Sequence, residues 1–249
     1  MEPHKNAPIP DLTDQIAIVT GASRGIGRAI AKALACCGAH VVLAARDTSR
    51  LESVRAEIVE TGATGTVVPV DLVDAASVEN LFARVDAIAS GRLDILINNA
   101  GIGTFGEVTE FPVEAFDRMV EVNLRGTFLA CQEGLRRMKA AGDGYIINIV
   151  SVVGLKGYPQ QAGYTATKHG IIGLTKSLTI EAQEHGVRVS AICPGGVDTD
   201  LIAAARPDLN RATLMQPDDI AQTVLYLLAL PKRAAVDCIY IRRSESPPW

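Results

Sequence analysis

"IVTGASRGIGRAI", residues 18–30, is the stretch that decides the fold. It starts as an apolar run, breaks at a cluster of glycines and resumes with the apolar spacing of a helix. Gly21, Gly25 and Gly27 are spaced G-x-x-x-G-x-G, which differs from the G-x-G-x-x-G of the standard dinucleotide fingerprint. The physical logic is shared. Glycines let a chain turn tightly after a strand and bring its backbone against a pyrophosphate, whose charge is met by amides at a helix N-terminus. An ordinary strand–helix turn also uses glycine, so the surroundings of the stretch must decide between the two.

From residue 15 onward, short apolar runs alternate with longer helical patterns. The runs lie at 15–20, 40–45, 66–70, 93–98, 145–150 and 187–193, with a last one at 236–243. Most are β-branched and apolar throughout, as strands buried on both faces of a parallel sheet must be. Helical patterns lie near 25–37, 48–60, 75–89, 113–140, 161–185 and 216–230. Strands separated by helices imply repeated βαβ units with right-handed crossovers. This predicts an α/β fold, a Rossmann-type doubly wound parallel sheet of about seven strands with helices on both faces. One domain is expected over 13–249, after a flexible arm at 1–12 and with a small substrate lid near 200–216. Pro112 suits a first helical turn, Gly186 a helix stop and Asp47 a helix cap.

Composition narrows the function. The chain has 249 residues, 48% apolar and 21% charged, with a net charge of -4. That is globular content, and the acidic balance argues against nucleic acid as the main partner. No apolar run is long enough to span a membrane. The polar, Pro-rich beginning lacks the apolar core of a signal peptide, so a cytoplasmic protein is expected. The five cysteines (36, 37, 131, 193 and 238) are never spaced C-x-x-C. They read as reduced, mostly buried thiols, with Cys36 and Cys37 as small core fillers. The four histidines are scattered without metal-ligand spacing, and no metal site is predicted.

A second stretch carries chemistry. In "GYTATKHG", 163–170, Tyr164 and Lys168 stand four positions apart, one face of a helix. An ammonium beside a phenol favours phenolate and lowers a pKa that starts near ~10. Tyr158 is the other phenol in this region, but position 162 is Ala and supplies no such partner.

Taken in order, these segments resemble the short-chain dehydrogenase/reductase family. "TGASRGIG" (20–27) is similar to that family's cofactor motif, bringing in Ser23, Arg24 and Ile26 beside the three glycines. "NNAG" (98–101) closes the fourth strand, Asn123 lies in the helix after it and Ser151 follows the fifth. "YTATK" and then "PGGVDT" (194–199) complete the series, so the resemblance spans about 13–230. It implies hydride transfer between a nicotinamide and a carbonyl or alcohol carbon. Hydride arriving at a carbonyl leaves an alkoxide, which needs a proton donor in contact. The resemblance makes that donor Tyr164. Lowering a phenol by about three units corresponds to about 4 kcal/mol of phenolate stabilisation, much of which Lys168 is expected to supply. The resemblance also implies that Lys168 binds the nicotinamide ribose and that Ser151 holds the substrate oxygen beside Tyr164. Asn123 would help hold a proton-relay water.

Cofactor choice is read at the end of the second strand. The acid by which NAD-preferring members bind the ribose 2′-OH aligns with Ala45, and Arg46 follows it. Arg46 and Arg24 would suit a 2′-phosphate, so NADP(H) is predicted. By resemblance, Asp71 and Leu72 would meet the adenine, and Asn99 and Gly101 would line the cofactor. Val197 and Thr199 would meet the carboxamide and phosphates. The substrate walls are expected from 152–163, 102–105 and 200–216. The Gly-rich ending of many members is absent, replaced by "VDCIYIRRSESPPW", whose last eight residues read as a surface or subunit-contacting tail.

Three functions remain open from sequence. They are an NADPH-dependent carbonyl reductase, of which a 3-oxoacyl carrier reductase is one version, an NAD(P)-dependent alcohol or sugar dehydrogenase, and a non-catalytic dinucleotide sensor. A small-molecule substrate is expected, and the resemblance of helices 113–140 and 161–185 to those that pair subunits in the family implies a homodimer or homotetramer.

Overall fold

The first apolar run folds as β1 (Ile16–Thr20), with Ala17 and Val19 packed into one apolar cluster and Ile18 into another on the opposite face. This is why the run carries no polar alternation. The computed structural model describes residues 9–206 and 208–247. Most of the predicted arm, residues 1–8, lies outside them. Leu12 belongs to the body: it is buried, and its amide donates to the Cys37 carbonyl at 2.8 Å.

The other strands are β2 (His40–Ala45), β3 (Gly65–Pro69), β4 (Ile95–Asn98), β5 (Gly144–Ile149), β6 (Val187–Pro194) and β7 (Cys238–Ile241). Among the described residues the seven form one parallel sheet in the order β3-β2-β1-β4-β5-β6-β7. Helices α1 (Gly25–Cys36), α2 (Thr48–Glu60) and α8 (Pro217–Ala229) pack one face. On the other face lie α3 (Ala75–Ala89), α5 (Gly126–Ala141) and α6 (Ala162–Gln183). The short α4 (Val113–Met119) and α7 (Asp200–Ala205) lie beyond the strand ends. Local chemistry starts the helices where the sequence indicates. Asp47 and Asp74 accept from the Arg50 and Ala76 amides, capping α2 and α3, and Pro217 opens α8.

One predicted helix is not continuous. The stretch 113–140 divides into α4, a π-helical turn over Val120–Arg125, and α5. Pro112 stands before α4 as its cap residue rather than inside its first turn. The widened turn turns the Asn123 side chain inward, where it is fully buried. Thr127 Oγ1 donates back to the Asn123 carbonyl at 2.6 Å.

Strand order reverses between β1 and β4. In open parallel sheets a ligand crevice forms at such a switch point, outside the carboxyl ends of the strands. The motifs around Gly21, Asn99, Ser151 and Pro194 all follow the carboxyl ends of their strands.

Candidate active site

The glycine turn has the shape its spacing suggested. Gly21 (φ +67°) and Gly25 (φ +53°) occupy the left-handed region, which favours glycine. A Cβ on Gly27 would overlap the Gly21 carbonyl oxygen and the Asn99 side-chain nitrogen. That amide donates to the Thr20 and Gly21 carbonyls at 3.0 and 3.3 Å, tying "NNAG" to the turn. Asn98 braces deeper, donating to Asn148 Oδ1 at 2.9 Å. α1 opens at Gly25 with no side-chain cap and no acid in its first turn. Its N-terminal amides therefore suit an anion. Ser23 precedes it in the turn, and Ile26 faces the cleft beyond.

The two predicted phosphate arginines differ. Arg46 is exposed and makes no ion pair or hydrogen bond with any described residue. Arg24 instead donates to Asp200 of α7 at 2.5 Å, linking the turn to the start of the 200–216 segment. Asp71 accepts from the Val73 amide at 3.1 Å and lies 3.8 Å from Arg118. Leu72 is buried beneath Gly126. Val197 is buried, and Thr199 caps α7 while its methyl group lies against Gly25.

The four catalytic candidates gather at the ends of β4 and β5. Tyr164 is 7% exposed, and Ser151 lies beside its phenol in the cleft wall. Phe105 meets the Tyr164 ring edge-on at 5.7 Å between centroids. Lys168 is buried, donates to the Ile149 carbonyl at 3.2 Å, and holds Nζ 5.7 Å from the centre of the Tyr164 ring. A Cβ on Gly101 would stand 3.3 Å from Asn123 Oδ1 and 3.6 Å from Lys168 Nζ, so these three meet at one spot. Asn123 exchanges two 2.8 Å hydrogen bonds with the Ile102 backbone and donates to Thr167 Oγ1 at 3.1 Å.

The electrostatics differ from the sequence expectation. Burial raises the Tyr164 phenol above its ordinary value, and the Ser151 hydrogen bond opposes this only in part. Burial also lowers Lys168, to about 8, with the neighbouring Cys193 acting the other way. Desolvation penalises both charged forms and outweighs any mutual help. Tyr164 thus rests as a neutral phenol, the form that donates a proton.

The cleft beside these groups has a volume of ≈ 150 Å³. The predicted substrate segments contribute Val153 and Tyr158, Phe105, and Leu201 with Arg206. The surprise is the C-terminus. Tyr240, Arg242, Arg243 and Ser246 form part of the wall, so the described part of the predicted surface tail is a pocket element. Its final residues, 248–249, lie outside the described residues. No motif marks this contribution; the only signal was the replacement of a Gly-rich ending by long side chains.

The thiols also need correction. Cys36 and Cys238 are exposed and Cys37 half-buried, leaving Cys131 and Cys193 as the buried pair. Cys36 and Cys37 fall at the open end of α1, where its apolar face runs out. Across β6 and β7, the Cys193 and Cys238 sulfurs lie 3.6 Å apart. That hydrogen bond, aided by Lys176, lowers Cys238 to about 7.

Comparison with known proteins agrees with this architecture. The short chain dehydrogenase family profile matches residues 15–210. An uncharacterized oxidoreductase of Staphylococcus aureus is 38% identical over 93% of this chain and 98% of its own. An alcohol dehydrogenase of the archaeon Thermococcus sibiricus, solved with 5-hydroxy-NADP, superposes with a TM-score of 0.87 at 34% identity, covering 94% of this chain and 99% of that one. A metagenomic short-chain oxidoreductase solved with NADP gives 0.83 at 35% identity, over 95% and 100% of the two chains. The chain belongs to the short-chain dehydrogenase family and is an oxidoreductase with a nicotinamide dinucleotide site.

Proposed function

We propose that the protein is an NADPH-dependent reductase of ketones that also oxidises the corresponding secondary alcohols. The observation that carries this is that Ser151 and the buried Tyr164 line one cleft side by side, with Lys168 one helical turn away and its Nζ 5.7 Å from the Tyr164 ring centre. The residues fit the cofactor: a cradle that excludes side chains at Gly27, uncapped amides at α1, and an unpartnered guanidinium at Arg46. When bound, a nicotinamide dinucleotide supplies the hydride.

The chain's own groups do the rest. The Ser151 hydroxyl donates to the substrate carbonyl oxygen and holds it beside Tyr164. Tyr164, kept neutral by burial, gives its Oη proton to that oxygen as negative charge develops there. The resulting phenolate sits near the Lys168 ammonium, whose charge stabilises it more than the resting phenol. Lys168 and the Asn123 region then return a proton from solvent. Phe105, Val153 and Leu201 exclude bulk water from the reacting centre.

The test is NADPH oxidation scanned over small ketones, β-ketoesters, acyl thioesters and cyclic ketones, followed by Tyr164→Phe on the best substrate. Turnover should fall about 10³-fold or more, with NADPH binding kept. Undiminished turnover would remove Tyr164 from the mechanism. The similarity to an archaeal alcohol dehydrogenase solved with 5-hydroxy-NADP supports the oxidative reading as the second choice.

A further inference from the structure

The charge of the cleft does not follow the charge of the chain. The protein carries 28 acidic residues and a net charge of -4. Yet among the described residues the cleft wall contains three arginines, Arg206, Arg242 and Arg243, and no Asp or Glu. Lys156 stands just behind, with Nζ 3.3 Å from Tyr240 Oη and over the ring of Tyr158 at 5.8 Å.

The three guanidinium groups are not equivalent. Arg206 is held by both oxygens of Asp208, at 2.8 and 2.7 Å, and its charge is matched. Arg242 donates through Nη1 to the carbonyls of Arg243, Ser244 and Ser246, which folds the C-terminal turn against the cleft. Arg243 donates through Nη1 to Thr213 Oγ1 at 3.2 Å and has no carboxylate within ion-pair distance among the described residues. The Asp208 carboxylate feels its field but is committed to Arg206. Arg243 is also only half-buried beside apolar groups, where an unmatched cation gains from an incoming anion.

Its place separates it from the cofactor cradle. Arg243 packs against Gly196, near the start of the 194–199 loop, whereas Thr199 at the other end reaches Gly25. We propose that Arg243, set by the turn that Arg242 folds, binds a carboxylate on the carbonyl substrate, so that the preferred substrates are oxo acids rather than neutral ketones. This rests on the reductase reading and names its substrate class. A planar guanidinium recognises a carboxylate through paired hydrogen bonds, and the corresponding ester cannot reproduce that contact.

Straight-chain oxo acids with increasing separation between carbonyl and carboxylate, and their methyl esters, test it in two arms. In turnover with NADPH, the best oxo acid should exceed its ester in kcat/KM by about tenfold or more. Arg243→Met should collapse that ratio toward one through KM, and Arg243→Lys should keep part of it. In the second arm, calorimetry measures binding of the same acid and ester to the NADPH-loaded protein, with melting temperatures confirming that the variants fold. Equal affinity of acid and ester, or a preference that survives Arg243→Met, overturns the proposal. Absence of turnover with every carbonyl compound, while acid binding still depends on Arg243, overturns the reductase reading and keeps the anion site.

Discussion

The two walls of the cleft are made in different ways. The proposed cofactor wall, from Gly21 to Gly101, is built largely of backbone: positive-φ glycines and uncapped amides at the start of α1, braced by the Asn99 side-chain amide. The substrate wall is built of side chains brought from 102–105, 151–164, 200–209 and 240–246. Backbone shape tolerates little change and serves one ligand class. A side-chain wall can be rebuilt at each position while the fold stays the same. The first wall therefore suits one cofactor class, and the second, apart from Ser151 and Tyr164, can vary with the substrate.

This contrast can be broken most severely at Gly27. An added methyl group there meets the Gly21 carbonyl and Asn99, an overpacking strain of about 1–3 kcal/mol. Gly27→Ala should weaken NADPH binding about a hundredfold, read by fluorescence titration; wild-type affinity would show that the backbone cradle is not the cofactor site. Arg46 tests a side chain on the backbone wall. Losing one charge-assisted contact costs about 1.5–3 kcal/mol, so Arg46→Asp should raise the NADPH Kd about thirtyfold and leave NADH little changed. Parallel losses for both cofactors would reject the 2′-phosphate assignment.

The smallest effect lies behind the substrate wall. Cys238 is exposed, and its thiol is lowered to about 7, so its thiolate fraction rises as pH climbs through 7. Alkylation by iodoacetamide should climb several-fold between pH 6 and 8 at Cys238, while Cys193, buried and pushed up by its partner, stays unlabelled. Mass spectrometry of the labelled protein reads both sites. Preferential labelling of Cys193 would contradict the proton arrangement between the two sulfurs.

The same division governs what could be read from the sequence. Strand and helix order, the glycine turn and the Asp47 cap were legible because each depends on neighbours within a few residues. Tyr164, Lys168, Ser151 and Asn123 could be picked out because their segments occur in a characteristic order, and the structure brings them together. The π-turn around Asn123 was hidden because a helical pattern of 3.6 residues differs little from a locally widened one. The neutrality of Tyr164 was hidden too, since desolvation depends on the side chains closing over it from 102–105 and α7. Arg243 needed the tertiary structure most of all: its partners Thr213 and Gly196 lie 30 and 47 positions away.

In the proposed mechanism Tyr164 is the proton donor in a carbonyl reduction. A single experiment confronts it: Tyr164→Phe, assayed for NADPH binding and for single-turnover ketone reduction in the same preparation. Wild-type NADPH affinity is expected, with reduction slowed about 10³-fold or more. Reduction at the wild-type rate, with NADPH bound equally well, would contradict it.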